Sequence, residues 1–245
     1  MKRAYLRYRE AIDQRLKKAF MQENEILLAA KWIADSLSQN GWIYTSGTGH
    51  SHMMAEEIFY RAGGFARVIP LFDQDLMLHR CASGSSIIER KEGYAKGLIS
   101  PFPITSKDIF ILASNSGINA FCIDLALEAK KRNAKIICIT NLKHSKTIPS
   151  RHSSGLKLFQ VADLFLDNCG EVGDAVIEMD QLDKKVGATS TVIGAALLQA
   201  IMVQATEMML KNGFTPEIFH SSNDEKGDIE NRALVMKYRN SIPSL

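Results

Sequence analysis

Three stretches of the chain concentrate hydroxyls and glycine: Ser46-Gly47-Thr48-Gly49-His50-Ser51, Ser114-Asn115-Ser116-Gly117 and Thr189-Ser190-Thr191. Glycine lets backbone approach a ligand closely, and Ser and Thr hydroxyls donate hydrogen bonds. The unpaired N–H groups of a helix's first turn favour an anion. Brought together, these stretches make a cradle of neutral donors for a phosphate monoester. Its candidate phosphate- and sugar-binding residues are Ser46, Thr48, Gly49, His50, Ser51, Ser114, Asn115, Ser116, Ser190 and Thr191. A plainer reading has each Ser or Thr cap its own helix. That suffices for one such turn and is strained by two that follow separate parallel strands. Other phosphate motifs fit less well. No Gly-Lys-Ser/Thr follows a glycine loop, so a P-loop is excluded. A dinucleotide fingerprint starting at Gly47 meets His52 where its third glycine belongs, although Asp73 does follow the second strand.

Turns of this kind need strands that end where helices begin. Residues 42–46, 66–71, 108–113, 135–140 and 162–166 read as five short apolar strands, the fifth less distinct than 108–113 (DIFILA) and 135–140 (KIICIT). Helices are expected from residue 51 to about 62, over 119–132 and over 189–211, with loop plus helix over 85–98. Strand–helix alternation with nearly all-apolar strands implies a parallel sheet covered on both faces. Ligands in such sheets bind outside the carboxyl ends of the strands. Residues 1–40 read as one long helix whose stripe (Ile12, Leu16, Ala19, Ile26, Ala30, Ile33, Leu37) is interrupted at Glu23, with Asn40-Gly41 as its stop. On a lone chain that stripe would be bare, so packing against a second subunit is expected. The organisation expected is 1–40 as an N-terminal helix for oligomer contact, 41–214 as the ligand-binding domain, and 215–245 as a polar tail that is helix-prone after Asp228.

Composition narrows the function. Among 245 residues, 46% are hydrophobic and 23% charged, which excludes disorder and fibrous repeats. No uninterrupted apolar run approaches the roughly 18 residues of a spanning helix, and MKRAYLRYRE carries no apolar signal region. A cytoplasmic protein without a membrane is expected. The net charge of +3 is too small to imply nucleic acid. Cys81, Cys122, Cys138 and Cys169 lie far apart with no C-x-x-C pair, so neither a disulfide framework nor a zinc site is expected.

The G-x-G-x-S turn after the first strand, paired with S-x-S-G after a later parallel strand, resembles the SIS (sugar isomerase) family of phosphosugar-binding domains. The resemblance covers roughly residues 40–212 and is to stand-alone members similar to phosphoheptose isomerase. It implies an α/β fold, a three-layer αβα sandwich on a five-stranded parallel sheet, here with the long N-terminal helix added. It implies dimers or tetramers and phosphate gripped by the two turns, at Thr48, Gly49, His50, Ser51, Ser114, Asn115 and Ser116. His50 stands where many members carry a small residue, and Asn119 where a third hydroxyl is common.

An aldose–ketose isomerase moves a proton between adjacent carbons and needs a carboxylate base and a group that opens the ring. Members often place an acid on the helix after the first turn. Here Glu56 and Glu57 lie on it at a shorter spacing, and Glu57 can instead pair with Arg61 four residues on. Glu171 and Asp174 follow the fifth strand at the correct sheet edge. His220 follows the last core helix, in a tail that in the family often reaches a neighbour's site. Glu207 lies in the apolar 189–211 helix, either partnered inside or on its wet face. The first expectation is a metal-free, cofactor-free sugar-phosphate isomerase with Glu57, Glu56, His220 and Glu171 as catalytic candidates. A non-catalytic phosphosugar sensor is the second, and a lyase resembling N-acetylmuramic acid 6-phosphate etherase the third. A DNA-binding regulator is disfavoured, because about forty residues before the first strand are too few for a helix-turn-helix domain.

Overall fold

The computed structural model describes residues 2–223 and 225–245. Five apolar segments form strands: β1 (Ile43–Gly47), β2 (Val68–Pro70), β3 (Ile109–Ala113), β4 (Lys135–Thr140) and β5 (Leu164–Asp167). They pair in the order β2-β1-β3-β4-β5, and every pair is parallel. Side chains alternate along a strand, so Ile109, Ile111 and Ala113 enter one apolar layer while Phe110 and Leu112 enter the other. Both faces therefore require helices. These are α1 (Ala4–Ala19), α2 (Glu23–Ser38), α3 (Met53–Ile58), α4 (Leu78–Ile88), α5 (Tyr94–Ile99), α6 (Ala120–Lys131), α7 (Leu142–Thr147), α8 (Leu158–Val161), α9 (Ser190–Lys211) and α10 (Glu225–Tyr238). Residues of α2, α3 and α9 fill the first layer, and residues of α5, α6 and α8 with Tyr238 and Ile242 fill the second. The expected αβα sandwich is the observed fold.

The N-terminal forty residues are helical, but in two pieces. The chain turns at residues 20–22, beside the break in the apolar stripe at Glu23, and so α1 and α2 take different neighbours. The stripe on α2 is not bare, contrary to expectation. Ala29, Ala30 and Ile33 are fully buried against this chain's own sheet and α9. Burying a side chain the size of Ile33 contributes about 1.5–3 kcal/mol, so α2 is an integral layer of the sandwich. Helix α1 lies across α9 and an antiparallel hairpin that the residue pattern did not reveal, β6 (Ala175–Ile177) and β7 (Val186–Ala188). It is tied there by Tyr8 Oη donating to Ala188 O at 2.6 Å and Arg7 Nη1 donating to Glu178 O at 3.0 Å.

Helix α9 has the length and mean hydropathy (1.5) of a membrane-spanning segment. One face of it, including Ile193, Leu197, Leu198 and Ile201, is buried in the first core layer. The tail returns to its own chain. Tyr238 packs edge-on against Trp42 at 5.4 Å, and Ile242 is fully buried.

Candidate functional site

The register of the sheet brings the two hydroxyl-rich turns together. Gly47 of β1 pairs with Ala113 of β3, so the chains leaving both strands start side by side at the carboxyl edge. Gly47 is required there. A Cβ on it would stand 2.4 Å from Ser51 O and 3.0 Å from Ala113 O, because the chain doubles back into a single 3-10 turn over Gly49–His52. The second turn is pinned by its neighbours. Asn115 O accepts from Asn141 N, Asn115 Oδ1 accepts from Asn168 Nδ2 at 2.9 Å, and Ser114 Oγ accepts from Gly117 N. Gly117 has φ 62°, with Thr140 and Ser145 hydroxyls packed against it, so a side chain would be both strained and crowded.

Between the turns and the start of α9 lies an open cavity of about 310 Å³. Thr48, His50, Ser51, Ser114, Asn115, Ser116, Ser190 and Thr191 all line it. Thus eight of the ten candidate binding residues, far apart in sequence, face one space. Two do not. Ser46 is buried within β1, where its hydroxyl donates to Leu71 O across the strand at 3.1 Å; that bond consumes the donor. Gly49 shapes the turn with φ 56°, and its carbonyl is held by His52 Nδ1.

The start of α9 differs from expectation in one respect. Asp174 Oδ1 accepts from the backbone N–H of Thr189 and of Ser190, and Asp174 Oδ2 accepts from Ser190 Oγ at 2.5 Å. An internal carboxylate thus already satisfies those helix-terminal donors. Thr191 retains its hydroxyl.

The expected catalytic residues are dispersed. Glu57 pairs with Arg61 at 2.9 Å and accepts from Gln199, and Glu56 lies 3.5 Å from His52. Glu171 is bound to Lys143 and Arg15, and Lys143 holds its carboxyl below the usual glutamate range. His220 pairs with Glu230 at 2.9 Å, and Asn231 holds the His220 backbone from both sides. None of these four lines the cavity in this chain. Helix geometry explains the first pair: the short α3 turns them toward α9 and solvent. Glu207 pairs with Lys211 on the outer face of α9, so the wet-face reading applies.

Five other residues complete the wall: Glu89, Asn119, His144, Asp174 and Ala188. Residue spacing gave no signal for Glu89. It ends α4, and its carbonyl accepts from Phe121 N at the start of α6, which carries its side chain to the cavity. Thr48 Oγ1 donates to Glu89 Oε2 at 2.6 Å. The cysteines take no part. Cys138 and Cys122 are buried, and burial with the nearby Glu89 charge pushes the Cys122 thiol up to about 12.

Comparison with known proteins agrees with this geometry. Residues 7–141 match the family described as SIS domain. The chain belongs to the SIS family. It is 42% identical over 239 residues to a UPF0309 protein of Geobacillus thermodenitrificans, covering 97% of this chain and 96% of that one. It is 44% identical over 213 residues to a UPF0309 protein of Listeria innocua, covering 87% and 86%. Among solved structures, a phosphoheptose isomerase from Francisella tularensis superposes with TM-score 0.56 at 16% identity, over 83% of this chain and 96% of that chain. A phosphoheptose isomerase from Neisseria gonorrhoeae gives 0.52 at 14%, over 83% and 97%. At such identities the two structures establish a common fold. The SIS match also takes in most of α1 and all of α2, consistent with α2 being part of the sandwich.

Proposed function

We propose that this SIS protein binds a sugar phosphate, with the phosphate between the turns at 48–51 and 114–116 and the sugar extending toward Glu89, Asn119 and His144. One observation carries the reading. Two turns from adjacent parallel strands direct hydroxyls into the same cavity at the carboxyl edge of the sheet, where open α/β folds bind ligands. We further infer an aldose–ketose isomerase with Glu89 as the carboxylate that takes the C2 proton and returns it to C1 of the enediol. Glu89 lines the cavity, and Thr48 fixes one of its oxygens. The phosphoheptose isomerases of similar fold are in keeping with this chemistry. A cytoplasmic homo-oligomer is the assembly we assign, since Val192, Val203 and Met53 leave apolar surface uncovered on α9 and α3. The second reading, a phosphosugar sensor, is favoured by the ion pairs that occupy Glu57 and Glu171 away from the cavity.

Thermal shift against a panel of sugar phosphates tests binding, since a ligand at about 100 times its Kd adds roughly 2.7 kcal/mol. NMR in deuterated water then follows the C2 proton of each hit. Exchange with ketose formation is the expected result. Exchange with loss of a C3 substituent identifies a lyase, and binding without exchange a sensor. Failure of every sugar phosphate to bind overturns the proposal.

A further inference from the structure

A second cavity, of about 510 Å³, lies against the other apolar layer, between β2, the segment from Gly97 to Pro103 and the tail after α10. It shares no residue with the first. Pockets that hold small organic molecules measure about 300–1,000 Å³, so it is of that size. Trp42, Tyr44, Phe72 and Phe102 line it together with four prolines, whose fixed backbone angle keeps the walls preformed. Among the described residues that line it none is charged. A phosphate or an ammonium group would be desolvated there without a charged partner, which selects for a neutral, mostly apolar occupant.

Tyr44 supplies an unanswered polar group. Its ring is stacked on Phe110 at 4.9 Å and set edge-on to Phe102 at 5.7 Å, which holds it in place. The residue is fully buried, and its Oη has no hydrogen-bond partner within the protein. Leaving a buried hydroxyl unpaired costs about 1–3 kcal/mol, a cost that phenylalanine, with the same ring, would avoid. Burial, reinforced by the Asp108 charge, raises the Tyr44 pKa, so the phenol keeps its proton and can donate. We propose that this cavity is a second ligand site, for a flat, uncharged aromatic molecule whose ring nitrogen or carbonyl accepts a hydrogen bond from Tyr44 Oη. The aromatic walls favour such a shape, since rings pack offset-stacked or edge-on against one another. The site stands independently of the phosphosugar reading.

Quinoline and naphthalene are matched probes, flat, uncharged near neutral pH and of nearly the same shape, of which only quinoline carries an acceptor. Saturation-transfer NMR titrations give the Kd of each for the unaltered protein, Tyr44→Phe and Gly97→Phe. Quinoline is expected to bind, and Tyr44→Phe to weaken it about fivefold, the scale of one hydrogen bond between neutral groups, while leaving naphthalene unchanged. That variant loses only an unpaired hydroxyl, so its Tm is expected not to fall. Gly97 lines the cavity, and a Cβ there meets no atom within 4 Å, so Gly97→Phe has room to fill the space and is expected to abolish binding of both probes. Failure of quinoline to bind the unaltered protein overturns the site; if Gly97→Phe then splits an oligomer in sedimentation, the cavity belongs to a contact between copies of the chain. Loss of both probes alike, or of neither, in Tyr44→Phe overturns the pairing with Oη. Binding that survives Gly97→Phe places the probes elsewhere and overturns the cavity.

Discussion

The two ends of the parallel sheet treat their polar groups in opposite ways. At the amino end Asp108, Arg67 and Asp163 are consumed by partners within the protein. Asp108, only 2% exposed, accepts from Trp42 N at 2.8 Å and from both the N–H and the hydroxyl of Thr105. Arg67 donates to the carbonyls of Asn40 and Gly41 that end α2, and its guanidinium lies 4.2 Å over the Trp42 ring. Asp163 accepts from Ile136 N and pairs with Lys130. At the carboxyl end, in contrast, the hydroxyls of Ser51, Ser116 and Thr191 line a cavity with no partner among the described residues. A polar group already paired inside the protein stabilises the fold and has little left to offer a ligand. One left facing an open cavity contributes little to stability and can bind. Stability and binding should therefore separate along the strand axis.

The sharpest way to break that separation is Asp108→Ala. Removing a buried acceptor leaves the Trp42 and Thr105 N–H groups unpaired, and a loss of about 3 kcal/mol is expected in urea unfolding. A loss below about 1 kcal/mol would mean that the amino end is not the anchored one. Gly47→Ala follows, since its methyl meets the Ser51 carbonyl. It is expected to cost about 1–3 kcal/mol and, by displacing the turn at 48–51, to abolish sugar-phosphate binding in calorimetry. Unchanged binding would detach the turn from the ligand.

Glu171→Gln tests an ion pair near the binding end that serves the fold, tying α1 and α7 to the loop after β5. Because Lys143 depresses the Glu171 pKa in the folded state, its contribution is present above the unfolded value of about 4.3 and is lost as pH falls through the folded value. The pair is partly exposed, so less than about 1 kcal/mol is expected near neutral pH, fading below about pH 4. A difference between variant and parent that grows on acidification would reverse the assigned sign. Ser51→Ala and Ser116→Ala should move stability least, within about 0.5 kcal/mol, while each weakens sugar-phosphate binding about tenfold. If both leave binding untouched, the cradle lies elsewhere.

Much of the fold could be read from the chain. Strands buried on both faces show as apolar runs, and DIFILA and KIICIT fall within a residue of β3 and β4. The hairpin of β6 and β7 could not. Its strands are three residues each, and Val186, Gly187 and Ala188 are exposed, so no periodic apolar signal marks them. The two N-terminal helices read as one because a three-residue turn hardly disturbs the stripe, whereas each half packs on different elements. Among the acids, spacing exposed the Glu57–Arg61 pair, which lies within one helix. It had no access to Glu89, whose place depends on where α4 ends against α6.

What residue order alone determined here is local: which segments are apolar enough to be strands, which turns carry glycine where a side chain cannot fit, and which hydroxyls stand at helix starts. Those depend on neighbours a few positions away. Tertiary structure decided which of those groups meet. The parallel register of β1 and β3 set two turns side by side, and the packing of α4 on α6 added a carboxylate to them. Long-range packing also spent Ser46 and Ser190 on bonds within the protein, and left Ser51, Ser116 and Thr191 facing the cavity.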